Sequence, residues 1–448
     1  MNVRRTATWV VLACLTASPV MAQTTTPALG TQGPHLSLEA AVTEALANAP
    51  GLQAAAAQDR AAQWTATAVG RARFGQLDGV LSYSRFQDDQ ILRPMSKQLF
   101  GAQGFLGLPW DRDQIHYGVT FQVPVYTGGR LSSSIRIAAL QAEQASLFTE
   151  GTRWDIRANT TALYAAVQTL DAVAMALDRS IDALAATHGR LTLMVEQGRR
   201  PRLDLLKVEE ELEDARGRRA AIEADRTRVG ALLLAVMGRD PASPLVVDPL
   251  PDLNLTLTPG RSDVASLARA TSVVRRAELA AEQSREAVAA ARGARLPNVA
   301  FRGNLMGHAG LSIGEQLKTW ELSVAVTVPV FDGGARAAAA ASARELAAAG
   351  RAAATRALLD REAQVVEAQA RFTAAGDSLK AARARVAAAD EAARIELVRY
   401  DTGVGTVEDL LRVRAREFAA ASALAQARGD QITAAARLNA LSEKEIVQ

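Results

Sequence analysis

The chain reads as a mainly α-helical protein with a membrane β-barrel part. It combines long antiparallel coiled-coil helices that form an α-barrel, four strands per chain and an internal two-fold duplication. Three observations predict this class. Ile115, Tyr117, Val119, Phe121, Val123 and Val125 alternate with His, Gly, Thr, Gln and Pro, which is the period of a strand with one apolar face. That strand closes at Gly128-Gly129, and from Leu131 the period becomes that of a long helix. The same event recurs: Trp320, Leu322, Val324, Val326, Val328 and Val330 alternate with polar or small residues and close at Phe331-Asp332-Gly333-Gly334, with Pro329 standing 205 positions after Pro124. The helices that follow carry heptads, clearest in Leu358, Val365, Phe372, Leu379, Val386, Ala393 and Tyr400, the mark of supercoiled partners.

The elements follow in order. Residues 1–22 read as a signal peptide and 23–36, with Thr24-Thr25-Thr26-Pro27 and Gly33-Pro34, as a flexible arm. The first repeat spans 37–237. Ser37 is a good N-cap, and Leu38 to about Gly70 is an Ala-rich helix interrupted at Pro50. A strand near 76–86 places Leu77, Gly79, Leu81 and Tyr83 opposite Asp78, Val80, Ser82 and Ser84. Residues 87–113 form a long loop holding Phe100, Phe105, Pro109 and Trp110 before the second strand. A helix from about Leu131 to Glu196, ~100 Å at 1.5 Å per residue, carries the seam Ile156, Leu163, Val167, Leu170, Ala174, Leu177, Ile181, Leu184, His188, Leu191 and Val195. A turn at 197–201 reverses the chain into a helix with Leu205, Val208, Leu212, Ala215, Ile222, Val229 and Leu233 on its seam. Residues 238–262, rich in Pro, Gly and Asp, read as a linker or equatorial region. The second repeat, 263–442, offers a helix over about 263–293, a strand near 298–307, the Trp320 strand, a helix over about 335–400, a turn at 401–405 and a last helix to about Leu441. Residues 443–448 remain as a tail.

The duplication keeps register. Gly198 and Gly403, and Asp204-Leu205-Leu206 and Asp409-Leu410-Leu411, also stand 205 apart, whereas Arg73 and Arg295 stand 222 apart. The 17 extra residues fall in the 87–113 loop, where surface drift after duplication is tolerated.

Composition excludes other classes. The 448 residues are 49% hydrophobic and 22% charged, with no series of apolar runs of about 20 residues such as a polytopic helical membrane protein needs. The one short run is N-terminal: Arg4-Arg5, an apolar stretch from Thr8 to Val20, then Val20-Met21-Ala22, a signal-peptide pattern with cleavage after Ala22. Val11-Leu12-Ala13-Cys14 is the alternative, a lipobox that would leave Cys14 lipidated. Cys14 is the only cysteine, so after cleavage at Ala22 neither a disulfide nor a cysteine metal site is expected. A net charge of +3 is too small and dispersed to argue for nucleic acid.

Four strands cannot close into a barrel, and open edges are not tolerated in hydrocarbon. The chain must therefore oligomerise. Twelve of the twenty aromatic residues lie in 74–126 or 297–331, as interfacial girdles require. A β-sandwich packed on its own core and a plain coiled-coil stalk are the blander readings of strands and helices.

These residues resemble the TolC-type outer-membrane channels of efflux pumps and type I secretion systems. The resemblance rests on the V-P-V-[YF]-x-G-G exit of each half and on Arg399-Tyr400-Asp401-Thr402-Gly403 followed by Asp409-Leu410-Leu411. It implies a homotrimer with a 12-stranded barrel in outer-membrane lipid and a 12-helix barrel in the periplasm. It further implies a periplasmic adaptor at the helical tips and an inner-membrane pump, proton- or ATP-driven, behind it. The protein would be a passive exit duct with no cofactor and no enzyme activity. A periplasmic coiled-coil adaptor is the alternative, and an enzyme a more distant one.

By the same resemblance, Asp204 and Asp409 match the acidic positions of a periplasmic gate, and Tyr400 a tyrosine that ties the inner helices shut. Gly405 stands where an Arg helps that tie in the best-known member, and Arg412 stands where a second Asp would be. Thr406-x-x-Asp409 also reads as a capping box, an ordinary structural role for Asp409. Gly198, Arg199, Gly403, Val404, Gly405 and Thr406 form the tip turns that would meet the adaptor. Pro124, Gly128, Gly129, Pro329, Gly333 and Gly334 mark the passage from barrel to helix. His35, His116, His188 and His308 are scattered and suggest neither metal nor catalysis. Arg85, Arg302 and Glu321 are expected on the pore wall.

Overall fold

A computed structural model describes residues 35–92, 97, 101, 108–249, 264–314 and 316–447. The signal peptide, Cys14, most of the N-terminal arm, Phe100 and Phe105 of the long loop, and residues 250–262 of the linker lie outside the described residues. The first half runs α1 (Leu38–Asn48), α2 (Pro50–Arg71), β1 (Gln76–Ile91), β2 (Trp110–Tyr126), α3 (Arg130–Glu196) and α4 (Arg202–Val236). The second runs α5 (Val264–Ala270), α6 (Ser272–Gly293), β3 (Asn298–Gly310), β4 (Gln316–Thr327), α7 (Ala335–Asp401) and α8 (Val407–Ser442).

Ser37 caps α1 by accepting the Ala40 N–H at 3.2 Å, and Pro50 opens α2, where its missing N–H costs nothing. Three features differ from the sequence expectation. β1 and β2 extend into the 87–113 loop, reaching Ile91 and starting at Trp110. β4 ends at Thr327, before Pro329, whereas β2 passes through Pro124 with a bulge before Tyr126, because proline has no N–H for the ladder. The helix expected over 263–293 is two helices, broken at Thr271.

That break has a long-range cause. Thr271 is extended (φ −72°, ψ 146°), and the buried Ser272 gives its N–H and hydroxyl to the Glu443 carboxylate at 2.7 and 2.6 Å. Pro50 and Ser272 stand 222 apart, the offset of Arg73 and Arg295. Each half therefore breaks its first helix at the same place, once by removing the N–H and once by capping it from the C-terminal tail. The tail itself is held by Asn439, whose Oδ1 accepts from Ile446 and Val447 at 2.9 and 3.0 Å.

The helices form a wall one layer thick. On the sheet side its order is α2–α3–α6–α7, and on the side away from the sheet it is α4–α3–α8–α7. The heptad seams supply its filling: Leu177, Leu184, Leu191, Val208, Leu212 and Leu410 are buried together near the tip. Val365, Phe372 and Leu438 pack in the second half, and Val167 and Leu233 in the first. Phe372 and Val167, like Leu438 and Leu233, stand 205 apart, so the two halves fill equivalent positions. Buried Tyr164 lies within hydrogen-bond distance of the Leu36 and Asp248 carbonyls (2.8 and 3.0 Å), beside the short parallel bridge Leu36–Val247.

Glu443→Ala should lower thermal stability in detergent by about 1–3 kcal/mol, the cost of leaving the buried Ser272 N–H without a partner. Glu445→Ala, which removes only an exposed ion pair to Arg157, should cost under about 1 kcal/mol. Equal effects of the two substitutions would contradict the capping role.

Candidate functional site: sheet faces, strand exits and helical tip

The four strands form one antiparallel sheet in the order β1-β2-β3-β4, with β1 and β4 as open edges among the described residues. The register joins Leu81, Tyr117 and Gly307, and likewise Val119, Leu305 and Trp320, across neighbouring strands. This face is apolar and uncovered: Leu81 is 79% exposed, Trp320 74% and Val324 65%. Gly303 and Gly307 lie beneath the rings of Phe121 and Tyr117, where a Cβ would collide. The opposite face carries Asp78, Ser82, His116, Thr120, Arg302, Asn304 and Glu321, with Arg302 donating to Gln122 at 3.2 Å. Arg302 and Glu321 thus share the polar face. Arg85 does not: it pairs in register with Asp113 on the apolar side. There it makes a 3.6 Å ion pair to Asp113, which also accepts from the Tyr83 hydroxyl at 2.7 Å. The odd position of Arg85 in the alternation carries it to the outer rim, against expectation.

The far end of the sheet is pinned by Asp111. Its buried carboxylate accepts from the Ser312 N–H and hydroxyl (2.7 and 3.0 Å) and from the Asp113 N–H (2.9 Å). At the helical end, Gly128 and Gly129 take φ of 63° and 83°, and Gly333 and Gly334 65° and 89°, a conformation that disfavours any residue with a Cβ. Gly128 is doubly constrained, since a Cβ there would meet the Gly293 carbonyl at 2.3 Å. Asp332 caps the second exit by accepting the Arg336 N–H at 2.9 Å.

At the other end of the wall, Gly198 and Gly403 turn the tips with φ of 69° and 78°. Thr406 caps α8, accepting the Asp409 N–H at 3.1 Å and donating its hydroxyl to Asp409 Oδ2 at 2.8 Å. Asp409 also pairs with Arg412. Gly405 is buried, and a Cβ there would stand 2.8 Å from Glu396 Oε1. The space an arginine would need is filled by the buried Glu396 carboxylate, which pairs with Arg399 at 3.0 Å. Tyr400 is buried beneath the Arg200 guanidinium, 5.2 Å from its ring. Its hydroxyl has no hydrogen-bond partner among the described residues, and burial raises its pKa. Asp204 is half-buried in the first turn of α4 and bears on Tyr400 through its charge alone. Two ion pairs cross between the hairpins: Lys207 with Glu408, and Arg190 with Asp401 at 3.9 Å.

Sequence reasoning missed Lys207–Glu408, Glu396–Arg399 and a contact between His116 and His308. The first and last join residues about two hundred positions apart. Among the described residues no group of three or more His, Cys, Asp or Glu is placed to hold a metal.

A sheet with one bare apolar face and two open edges, mounted on two helices ~100 Å long, defines a segment of a membrane channel wall. The chain belongs to the outer membrane efflux protein family, whose profile matches residues 41–239 and 264–442. No curated protein sequence matched. Among solved structures, a membrane protein from Pseudomonas aeruginosa superposes with a TM-score of 0.79 at 18% identity, covering 90% of each chain. The outer membrane protein VceC of Vibrio cholerae gives 0.75 at 19%, covering 91% of this chain and 96% of its own. The outer membrane channel CmeC of Campylobacter jejuni gives 0.78 at 16%, covering 91% and 86%. At these identities the likeness speaks for the fold. The protein is an outer-membrane efflux channel with its helical part in the periplasm. The adaptor reading is not favoured.

The tip should respond to acid. The Lys207 ammonium holds the Glu408 carboxyl below its ordinary pKa, so the stabilisation is present above that ordinary value and is lost as pH falls through the lowered one. The Lys207 pKa is raised mainly by its bond to Glu408, so its share is lost only at strongly alkaline pH. Hydrogen exchange at 197–206 and 402–410 should quicken below the ordinary glutamate range. Glu408→Gln should quicken it already at neutral pH and reduce the acid response. Unchanged exchange in that variant would remove the link from the tip.

Proposed function

We propose that three copies of this chain close into one tube, the passive exit duct of a tripartite efflux pump. The open four-stranded sheet carries the reading. Its β1 edge lies on the same side as α2 and α4, and its β4 edge on the same side as α7. One head-to-tail contact therefore joins sheet to sheet and helix to helix, and three such contacts close a ring. The product has twelve strands, enough for a barrel. Exposed Leu346, Leu359 and Val366 on α7 and Leu203, Leu206 and Leu232 on α4 supply apolar surface to the helical edges.

Each chain divides into a first repeat at 37–237, an equatorial linker at 238–262 and a second repeat at 263–442. Asp204, Asp409 and Tyr400 form the periplasmic gate. The turns holding Gly198, Arg199, Gly403, Val404, Gly405 and Thr406 meet a periplasmic adaptor, which joins the duct to an inner-membrane pump. Energy comes from that pump, and the duct carries out no chemistry. Tyr400 supports this role by its place in the core that joins the tips of the two hairpins, beneath the Arg200 guanidinium.

The purified protein should require detergent, have the mass of a trimer and conduct ions in planar bilayers. Arg412→Ser should release Asp409 from its partner and shift the reversal potential toward cation preference, since unpaired carboxylate rings favour cations. A water-soluble monomer would overturn the closure. An unaltered reversal potential in conducting trimers would overturn the gate assignment.

A further inference from the structure

The sheet register gives two of the histidines a relation that their sequence positions conceal. His116 of β2 and His308 of β3 are direct cross-strand partners on the polar face. Their Nδ1 atoms stand 2.7 Å apart, and their rings meet edge-on, 4.9 Å between centroids at 72°. Nε2 of His308 lies 3.0 Å from the Thr319 hydroxyl of β4. Two residues along β3, on the same face, Met306 lays its sulfur over Gly118, where a Cβ would come within 2.8 Å of it.

We propose that His116 and His308 form a binding site for a divalent transition-metal ion, one site per chain. The pairing stands on the register within a single chain. Only its position on a water-filled wall rests on the trimeric closure above. Two imidazoles suit ions such as Cu²⁺, Ni²⁺ and Zn²⁺, whereas Ca²⁺ and Mg²⁺ require cages of oxygen. Metal–nitrogen distances of about 2.0–2.1 Å place two ligating nitrogens roughly 3.0–3.4 Å apart. The pair therefore needs to open by only a few tenths of an ångström.

The second contact of His308 orients it for this task. In the tautomer that donates Nε2–H to Thr319, its Nδ1 lone pair faces His116, the arrangement in which a ligating histidine donates its other ring N–H to an oxygen. Without metal, His116 Nδ1–H fills that lone pair. When the ion enters, this proton moves through water to Nε2 of the same ring. Both imidazoles then bind neutral, and no proton is gained or lost. Water completes the coordination.

The test is a Cu²⁺ titration of the untagged, full-length protein in detergent, followed by electron paramagnetic resonance. The wild type should bind one Cu²⁺ per chain and show hyperfine coupling to two nitrogens. His116→Ala and His308→Ala should each abolish the two-nitrogen signal and weaken binding at least about tenfold. His35→Ala and His188→Ala should leave both unchanged. A Cu²⁺ spectrum that survives in the His116→Ala, His308→Ala double variant, or no binding by the wild type, would reduce the pair to a hydrogen bond and overturn the proposal. Trimer mass and metal-free conductance of the same samples separate the two readings. An intact conducting trimer without the signal sinks only the metal site, and a signal from non-conducting protein sinks only the closure.

Discussion

The structure depends on the hydrogen bonds that one chain cannot make. Among the described residues, β1 and β4 each present an unpaired backbone edge, and the face they share is apolar and bare. Water would disfavour the face, at about 1.5–3 kcal/mol for each large side chain. Hydrocarbon would disfavour the edges still more, because nothing there replaces a missing backbone partner. Only a medium that accepts the face, together with a neighbour that completes the edges, removes both penalties. The helical wall inherits the same requirement. Its end helices lie on the same two sides as the edge strands, so the contact that completes the sheet also completes the wall.

Duplication makes this economical, and the two halves show how one backbone can be reached by different chemistry. Strand exits, long helices and tip turns keep an offset of 205, and the first helix of each half breaks at an offset of 222. In the first half the break is local, since Pro50 has no N–H to satisfy. In the second, Ser272 has one, and Glu443 from the other end of the repeat satisfies it. The backbone break is retained while its stabilising group has moved 171 positions along the chain.

This explains which parts of the molecule are legible in the sequence. Strand alternation and heptads are local periodicities, and they place the four strands, the long helices and the residues that fill the wall. Pro50 is a local signal and marks its break. Thr271 is not: no breaker stands there, and its capping group is distant in sequence. The His116–His308 contact and the Lys207–Glu408 pair are equally silent, because each is created by the register of two elements from different halves. Arg85 illustrates a different failure. Its charge suggested the pore wall, but period two assigns its side chain to the face of Leu81 and Tyr83. The apolar band ends there, and Asp113 receives it. At the rim of such a band, position in the alternation outranks charge.

The tip is where this chain differs from what the resemblance to the best-known member implies, and its packing gives a physical reason. A side chain at Gly405 would meet the Glu396 carboxylate at 2.8 Å, so an arginine there requires Glu396 to move away. Glu396 takes its counter-charge from Arg399 of its own helix, so the cation is supplied from one turn earlier in the chain. Arg412 similarly partners Asp409 within α8, where the resemblance predicts a second acid. Both substitutions turn charges that could act between copies into pairs satisfied within one copy. In the proposed ring, electrostatic repulsion between neighbouring Asp409 side chains is thereby reduced. The burden of holding the tips together then falls on the pairs that cross between hairpins, Lys207 with Glu408 and Arg190 with Asp401. These pairs lie at the surface, where water and salt weaken them, and so suit a closure that must be reversible.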